Sequence, residues 1–421
     1  AEAAKVLQQE SGIPAQTVAA CLLESQSRKA ARASELWIVD EAGLLSARDC
    51  QALVLKAQEQ SARVVFVGDT RQLSAVEAGN PFRLMQSHGI VTAELTESRR
   101  QKSAELKKAV ELTAAGLTND AVGSIAGELY ELKRGETRAR FIAKEFLKSS
   151  DEQRQKTLIL AGTNREREVI THLIRACLKS EGALGEPFTT TRLKPRDLSR
   201  EEMMIVSKFN LGDQIVFHKD RRRLGIHKND RFEVVGFDDL RNQIELKDHT
   251  GKVRKIVPSE HVDSFLVYEN REIEIAQGDK LKFTRNSRQL DVRNGEECIV
   301  DAIYDSAIRL RKANGKVIEQ NTKEPMHIDH NYVHTVYASQ GKTCDRVFIS
   351  VDKTFGQEAM YVALSRARFE AKIITPDKDQ MLETISQSRA KLSALEVVPE
   401  QNLSKEFREE FIQKKQRQML S

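Results

Sequence analysis

Two carboxylates stand side by side at the end of an apolar run, Asp40 and Glu41 in "ELWIVDE" (residues 35–41). At a strand end such a pair suits a metal-bound phosphate: the first carboxylate holds Mg²⁺ through water, and the second orients or deprotonates the attacking water, the Walker B arrangement. A second run, "ARVVFVGD" (62–69), also ends in an acid, and "GDTRQL" (68–73) puts Asp69 and Gln72 where both can reach a γ-phosphate and its water. "ESRRQ" (97–101) and "YVALSRAR" (361–368) offer arginines at the edges of two different α/β stretches. A guanidinium beside a γ-phosphate stabilises the phosphoryl-transfer transition state, typically by a factor of about 10³ to 10⁵ in rate. An apolar run before "DE" is common by chance, and a lone arginine is often a weak surface ion pair. The ordered set therefore carries the inference, and no single member does.

These residues need a scaffold. Short Val- and Ile-rich runs separated by a helical pattern (Ala47–Gln60) read as strands of a parallel α/β sheet, with ligands at the carboxyl ends of the strands. A helical region over 103–147 precedes a further strand, "KTLILAGTN" (156–164), which opens a second α/β unit with a helix over 165–180. That unit is interrupted between about 207 and 321 by short alternating strands with Gly and Asp turns, and it resumes with "RVFISVD", a helix over 357–366 and "AKIIT". The interruption repeats itself: Gly212-Asp213, Phe217, Arg222, Leu224, Ile226 and Val234 match Gly278-Asp279, Phe283, Arg288, Leu290, Val292 and Val300 at a constant offset of 66. Two related SH3-like barrels in tandem explain both stretches economically.

The 421 residues, 40% hydrophobic and 31% charged, have the balance of a soluble multi-domain protein, with no membrane-spanning run and no signal peptide, so the expected location is cytoplasmic. Five dispersed cysteines without a C-x-x-C pair argue against a zinc site or a disulfide framework. The net charge of +5 permits nucleic acid as a partner without requiring it. "KDRRRLGIHKNDR" (219–231) concentrates cations in one stretch, and "LKFTRNSRQLDVR" (281–293) repeats the theme. Arg221, Arg222 and Arg223 are candidates for a nucleic-acid clamp, against the plainer reading of a solvated loop. The chain begins without methionine inside a helical pattern and reads as part of something longer.

In order, "WIVDEAG", "VFVGDTRQLSAV", "LTESRRQ", "LAGTNRE", "HTVYASQGKT" and "MYVALSRAR" resemble motifs II to VI of superfamily 1 helicases, more narrowly class B, the RecD-like and TraI-like enzymes. "AEAAKVLQQESGIPAQTVAACLL" and "GDTRQLSAVEAG" are most similar to the helicase portion of conjugative relaxases of the TraI and TrwC type. The resemblance implies two RecA-like parallel-sheet domains that sandwich ATP and Mg²⁺, and 5′→3′ translocation on single-stranded DNA. The expected domains are 1–98 (first RecA-like), 99–206 and 323–376 (second RecA-like), 207–322 (SH3-like insertion) and 377–421 (helical tail). Asp40, Asp69, Gln340 and Gly341 are expected at the nucleotide, with Asp40 on the metal, and Glu41, Gln72, Arg100 and Arg366 in catalysis, Arg100 by motif position rather than Arg99. The resemblance places Thr163, Asn164, Thr335 and Ser339 on DNA. It gives "SQGKT" (339–343) a motif V role, and Val336 stands where a P-loop needs glycine, so Lys342 has no P-loop duty.

Partners implied are a plasmid single strand and the coupling proteins of conjugation and type IV secretion, without membrane insertion. The chain departs from the family in three places. It carries no Walker A loop, it has Tyr337-Ala338 where motif V commonly has His-Lys, and any strand-separating pin between Ala20 and Glu35 is very short. The missing Walker A supports a competing class, a helicase-like single-strand-binding module without ATPase activity. A decayed copy, however, has no reason to keep "DEAG", "GDTRQ", "RRQ" and "ALSRAR" together. A RecD-like repair helicase shares the mechanism and differs in biology.

Overall fold

In a computed structural model, residues 2–23, 35–73, 79–95 and 97–390 are described. The pin segment lies almost wholly outside them, as do residues 391–421 of the expected tail. The chain divides into two compact units, one built from 3–174 with 333–390 and the other from 175–332.

The first unit is mixed α/β with parallel sheets. Leu36–Val39 pairs in parallel with Arg63–Phe66, and the connecting helix Ala47–Glu59 is capped by Ser46, whose side chain accepts from the Asp49 N–H. Trp37, Val39, Val64 and Phe66 pack with Cys50, Leu53 and Phe82. The alternate residues Leu36, Ile38, Val65 and Val67 remain exposed, so these strands are covered on one face only.

A second sheet is parallel throughout, in the order His334–Thr335, Thr157–Ala161, Cys344–Ser350, Ala367–Thr375, Leu129–Glu131. Its central strands read as unbroken apolar runs because helices cover both faces. Leu158, Leu160, Val347, Ile349 and Ile373 share one core with Met360, Val362 and Leu364 of the helix Gln357–Ser365.

The second unit consists of two antiparallel sheets. One has six strands, ordered Phe188–Pro195, Phe265–Ile275, Gln214–Phe217, Arg231–Asp238, Gln243–Lys247, Val253–Ile256. The other has five, ordered Val317–Asn321, Ala307–Lys312, Glu297–Ile303, Lys280–Phe283, Ile328–His330. This region is wider than the expected 207–322, because Phe188–Pro195 pairs along its whole length with Phe265–Ile275 and Ile328–His330 closes the second sheet. "FTTTRLKP" passes for a polar connection by hydropathy, whereas its β-branched threonines suit an edge strand.

The sequence repeat is also a structural one. Gly212 N–H donates to Val234 O and Gly278 N–H to Val300 O, both at 2.8 Å, and Phe217 to Asp230 O and Phe283 to Glu296 O, both at 3.0 Å. Both sheets shift register at the same place, between Val234 and Gly236 and between Val300 and Ala302. The matched aspartates are both buried, and each takes one arginine: Arg196 donates to Asp213, and Arg175 forks onto Asp279 at 2.9 and 2.8 Å.

Candidate nucleotide and nucleic-acid sites

The parallel pair Leu36–Val39 and Arg63–Phe66 sets the acidic ends together. Ala42 N–H donates to Val67 O at 2.8 Å, so the turn after the first strand lies against the turn after the second. Gly68 is needed there: a Cβ on it would stand 3.1 and 3.2 Å from the backbone nitrogens of Ala42 and Gly43. Glu41 takes a left-handed conformation, φ 51°, unusual for a side chain with a Cβ, and its N–H donates to Asp40 Oδ1 at 2.9 Å. Burial first, then the adjacent Asp40 charge, pushes the Glu41 carboxyl above its ordinary value, while Arg366 and Arg100 pull the other way. Those couplings bring five of the expected residues, Asp40, Glu41, Asp69, Arg100 and Arg366, into one electrostatic neighbourhood.

Arg366 follows the helix Gln357–Ser365 and is 1% exposed. Among the described residues its guanidinium donates to neutral acceptors: Val362 O at 3.0 Å, Ser365 Oγ at 3.0 Å, Lys342 O at 3.4 Å and, weakly, Gln72 Oε1 at 3.5 Å. Burial and the nearby Arg100 charge push it down to about 10, and Glu41 only partly offsets this. Arg100 Nη1 donates to Ser365 O at 2.8 Å, which sets it beside Arg366. Arg99 is exposed on the wall of the same cleft. Arg100 and Arg366 stand beside each other with Asp40, Glu41 and Asp69 in the same neighbourhood, and an anion brought between the two guanidinia would be held by both.

The turn bearing Gln340 and Gly341 borders Arg366 through the Lys342 carbonyl. Gly341 has φ 76°, and Gln340 Nε2 is buried without a hydrogen-bond partner among the described residues. A cleft of about 550 Å³ is lined among others by Asp69, Arg71, Gln72, Arg100 and Tyr361, whereas Asp40, Glu41, Gln340, Gly341 and Arg366 are not part of its lining. Its size falls in the range of small-molecule sites.

The residues expected on DNA gather elsewhere. Thr163, Asn164 and Thr335 lie at or just past the carboxyl ends of adjacent parallel strands, where Thr335 pairs with Ala161. Asn164 is exposed and the two threonines half-buried, and Thr335 with Gly162 and Tyr337 lines a hollow of about 220 Å³. Ser339 does not join them. It is fully buried and its hydroxyl donates to Val336 O at 2.6 Å, so it shapes the turn and offers DNA nothing. Arg222 and Arg223 are exposed in the second unit, whereas Arg221 donates to Asp263 at 2.6 Å. Sequence reasoning assigned no role to Tyr361, Arg71 or Gln101. Tyr361 and Arg71 contact Asp69, and the buried Gln101 amide donates to Ser365 O and Ala367 O at 3.2 and 3.0 Å. All three sit inside the quoted motifs, where their neighbours drew the attention.

Residues 1–128 match the family described as "AAA domain", and residues 263–375 match "Viral superfamily 1 RNA helicase core domain". The multifunctional conjugation protein TraI of Escherichia coli (strain K12) is 22% identical over 92% of this chain and 25% of its own length. A probable conjugal transfer protein TraA of Sinorhizobium fredii is 26% identical over 87% of the chain and 27% of its own length. The chain is similar to conjugation proteins of the TraI and TraA kind and, over residues 263–375, to the superfamily 1 helicase core. The chain thus spans about a quarter of the curated relatives it matches. Among solved structures, a Bacteroides Pif1 bound to ssDNA is 17% identical with a TM-score of 0.45, covering 94% of this chain and 81% of that one. Among the described residues, no helix is long and apolar enough to cross a membrane.

Proposed function

We propose that this chain is the motor part of an ATP-driven DNA helicase that moves 5′→3′ on single strands and serves DNA transfer in conjugation. The observation that carries this reading is the buried Arg366, held by neutral acceptors with Arg100 beside it and facing the ionisable pair Asp40-Glu41. ATP with Mg²⁺ fits this set: Gln340 Nε2 awaits an acceptor, and the two guanidinia await an anion. Among the described residues no group of three or more His, Cys, Asp or Glu is placed to hold a metal. A single carboxylate, Asp40, suits Mg²⁺, which keeps most of its ligands as water and phosphate oxygens.

Bound ATP supplies the scissile anhydride, and its Mg²⁺ neutralises phosphate charge. Glu41, its carboxyl raised toward the working range of a base, takes the proton of the attacking water. Gln72 orients that water, and Arg100 and Arg366 hold the charge that builds on the transferring group. Thr163, Asn164 and Thr335 hold the DNA backbone. The repeated β unit is a pair of SH3-like barrels whose Arg222 and Arg223 clamp the strand, and the two parallel sheets are RecA-like. Conjugation as the setting rests on the relatives' names, and coupling proteins are the further partners this implies.

The test is ATP hydrolysis by the intact protein with single-stranded DNA, with RNA of the same length, and with neither. Stimulation by DNA well above that by RNA supports the reading. Tight DNA binding without turnover replaces the motor with a holding module.

A further inference from the structure

We propose that Tyr361 is a positioning residue that ties the turn Gly68–Leu73 to the helix preceding Arg366, and that Asp69 is the acceptor of this tie rather than a ligand of the nucleotide. The inference rests on the reading of the cleft as an ATP-hydrolysing site. An ionised carboxylate offers about four lone-pair positions. At Asp69 four donors are in place. Oδ1 accepts from the Arg71 backbone N–H at 3.0 Å and from Arg71 Nε at 2.7 Å, and Oδ2 accepts from Arg71 Nη2 at 3.3 Å and from the Tyr361 hydroxyl at 2.7 Å. The carboxylate's lone-pair positions are thus engaged within the chain.

Of the two donor residues, Tyr361 is the more firmly held. Tyr361 is 8% exposed, and burial, then Asp69, pushes its phenol up to about 12, so the hydroxyl keeps its proton at any working pH. The Arg71 guanidinium lies 5.6 Å from the centroid of the same ring, which closes Asp69, Arg71 and Tyr361 into one assembly.

The consequence lies three residues further along the turn. Gln72 N–H donates to Asp69 O at 3.2 Å, so fixing Asp69 fixes the base of Gln72. Turn and helix therefore share a strong hydrogen bond at Asp69–Tyr361, charge-assisted at 2.7 Å, and a weak one at Gln72–Arg366, at the 3.5 Å limit of a hydrogen bond. The strong tie stands away from the chemistry and the weak one stands in it. Gln72 and Arg366 are thus kept in register without being consumed by each other, and both can turn onto a phosphate and its water.

A double-mutant cycle in the intact protein tests this, read as DNA-stimulated ATP hydrolysis for Tyr361→Phe, Asp69→Asn and the pair, with thermal midpoints as a folding control. Tyr361→Phe keeps the ring and removes one hydroxyl. The expected result is a kcat lowered about tenfold with the KM for ATP within about twofold, as for a lost charge-assisted hydrogen bond that aligns the reacting groups. The pair is expected to be no slower than Asp69→Asn alone, because both substitutions break the same tie. An unchanged kcat in Tyr361→Phe, or losses that multiply in the pair, overturns the proposal. A KM for ATP raised about tenfold in Asp69→Asn with kcat unchanged also overturns it, since Asp69 is then a nucleotide ligand. Absence of hydrolysis in the unsubstituted protein defeats the reading of the cleft, and the tie with it, and is told apart because no variant is needed to see it.

Discussion

Glu41 carries two opposed demands. Its folded carboxyl titrates above the ordinary value of 4.5, from burial and from Asp40, so the folded state takes up a proton more readily than the unfolded one. At neutral pH the ionised side chain therefore opposes folding, and the penalty fades as pH falls through the raised value toward 4.5. Glu41→Gln is expected to raise the thermal midpoint at pH 7 in the absence of nucleotide, and the gain should vanish on acidification. A midpoint that falls at pH 7 contradicts the assigned environment. Arg366 is the second test at this scale. Lysine keeps the charge but lacks the planar fork that reaches Lys342 O, Val362 O and Ser365 Oγ at once, so Arg366→Lys should lower kcat by roughly 10³-fold. A loss under threefold removes Arg366 from the transition state.

Elements decide what these residues can reach. Gly68→Ala sets a Cβ 3.1–3.2 Å from the backbone of Ala42 and Gly43 and from the Phe82 ring, so the turn that bears Glu41 must move or strain. A destabilisation of about 1–3 kcal/mol with reduced turnover is expected, measurable by denaturant titration beside the assay. The parallel strands were legible because short Val- and Ile-rich runs such as "WIVDE" and "VVFVGD" are separated by a helical pattern, the spacing of a parallel α/β sheet. The repeat was legible too, through Gly212-Asp213 and Gly278-Asp279, but the partners of those aspartates were not: Arg175 stands 104 positions from Asp279, a separation that no local pattern encodes. Arg175 also shows what such a buried fork is worth. Asp279 is fully buried and receives Arg175, Tyr332 Oη at 2.9 Å and Ala276 N–H at 2.7 Å. Arg175→Met leaves that charge without its cation and should cost about 3–5 kcal/mol of stability in the same titration. The Ser339 assignment failed for a related reason, since a motif position does not reveal that a hydroxyl is spent on Val336 O.

At the scale of the whole molecule, each compact unit carries its own candidate surface. In the α/β unit, an anion-receptive cleft and the strand ends bearing Thr163 and Thr335 occupy different places on one scaffold. In the β unit, the exposed Arg222 and Arg223 are offered to solvent by a tight hairpin in which Arg221 N–H donates to Ile226 O at 2.8 Å. Reversing both charges should weaken single-strand binding and flatten its salt dependence by roughly 0.7 for each phosphate no longer neutralised. Unchanged affinity and slope would leave the β unit as a rigid insertion. The central claim, that the cleft hydrolyses ATP to drive a DNA motor, is tested most directly by steady-state ATP turnover of the intact protein with and without single-stranded DNA, beside Glu41→Gln. The account predicts turnover that DNA stimulates and that the substitution abolishes while DNA binding persists. DNA-stimulated turnover that survives Glu41→Gln, or DNA binding with no turnover in either protein, contradicts it.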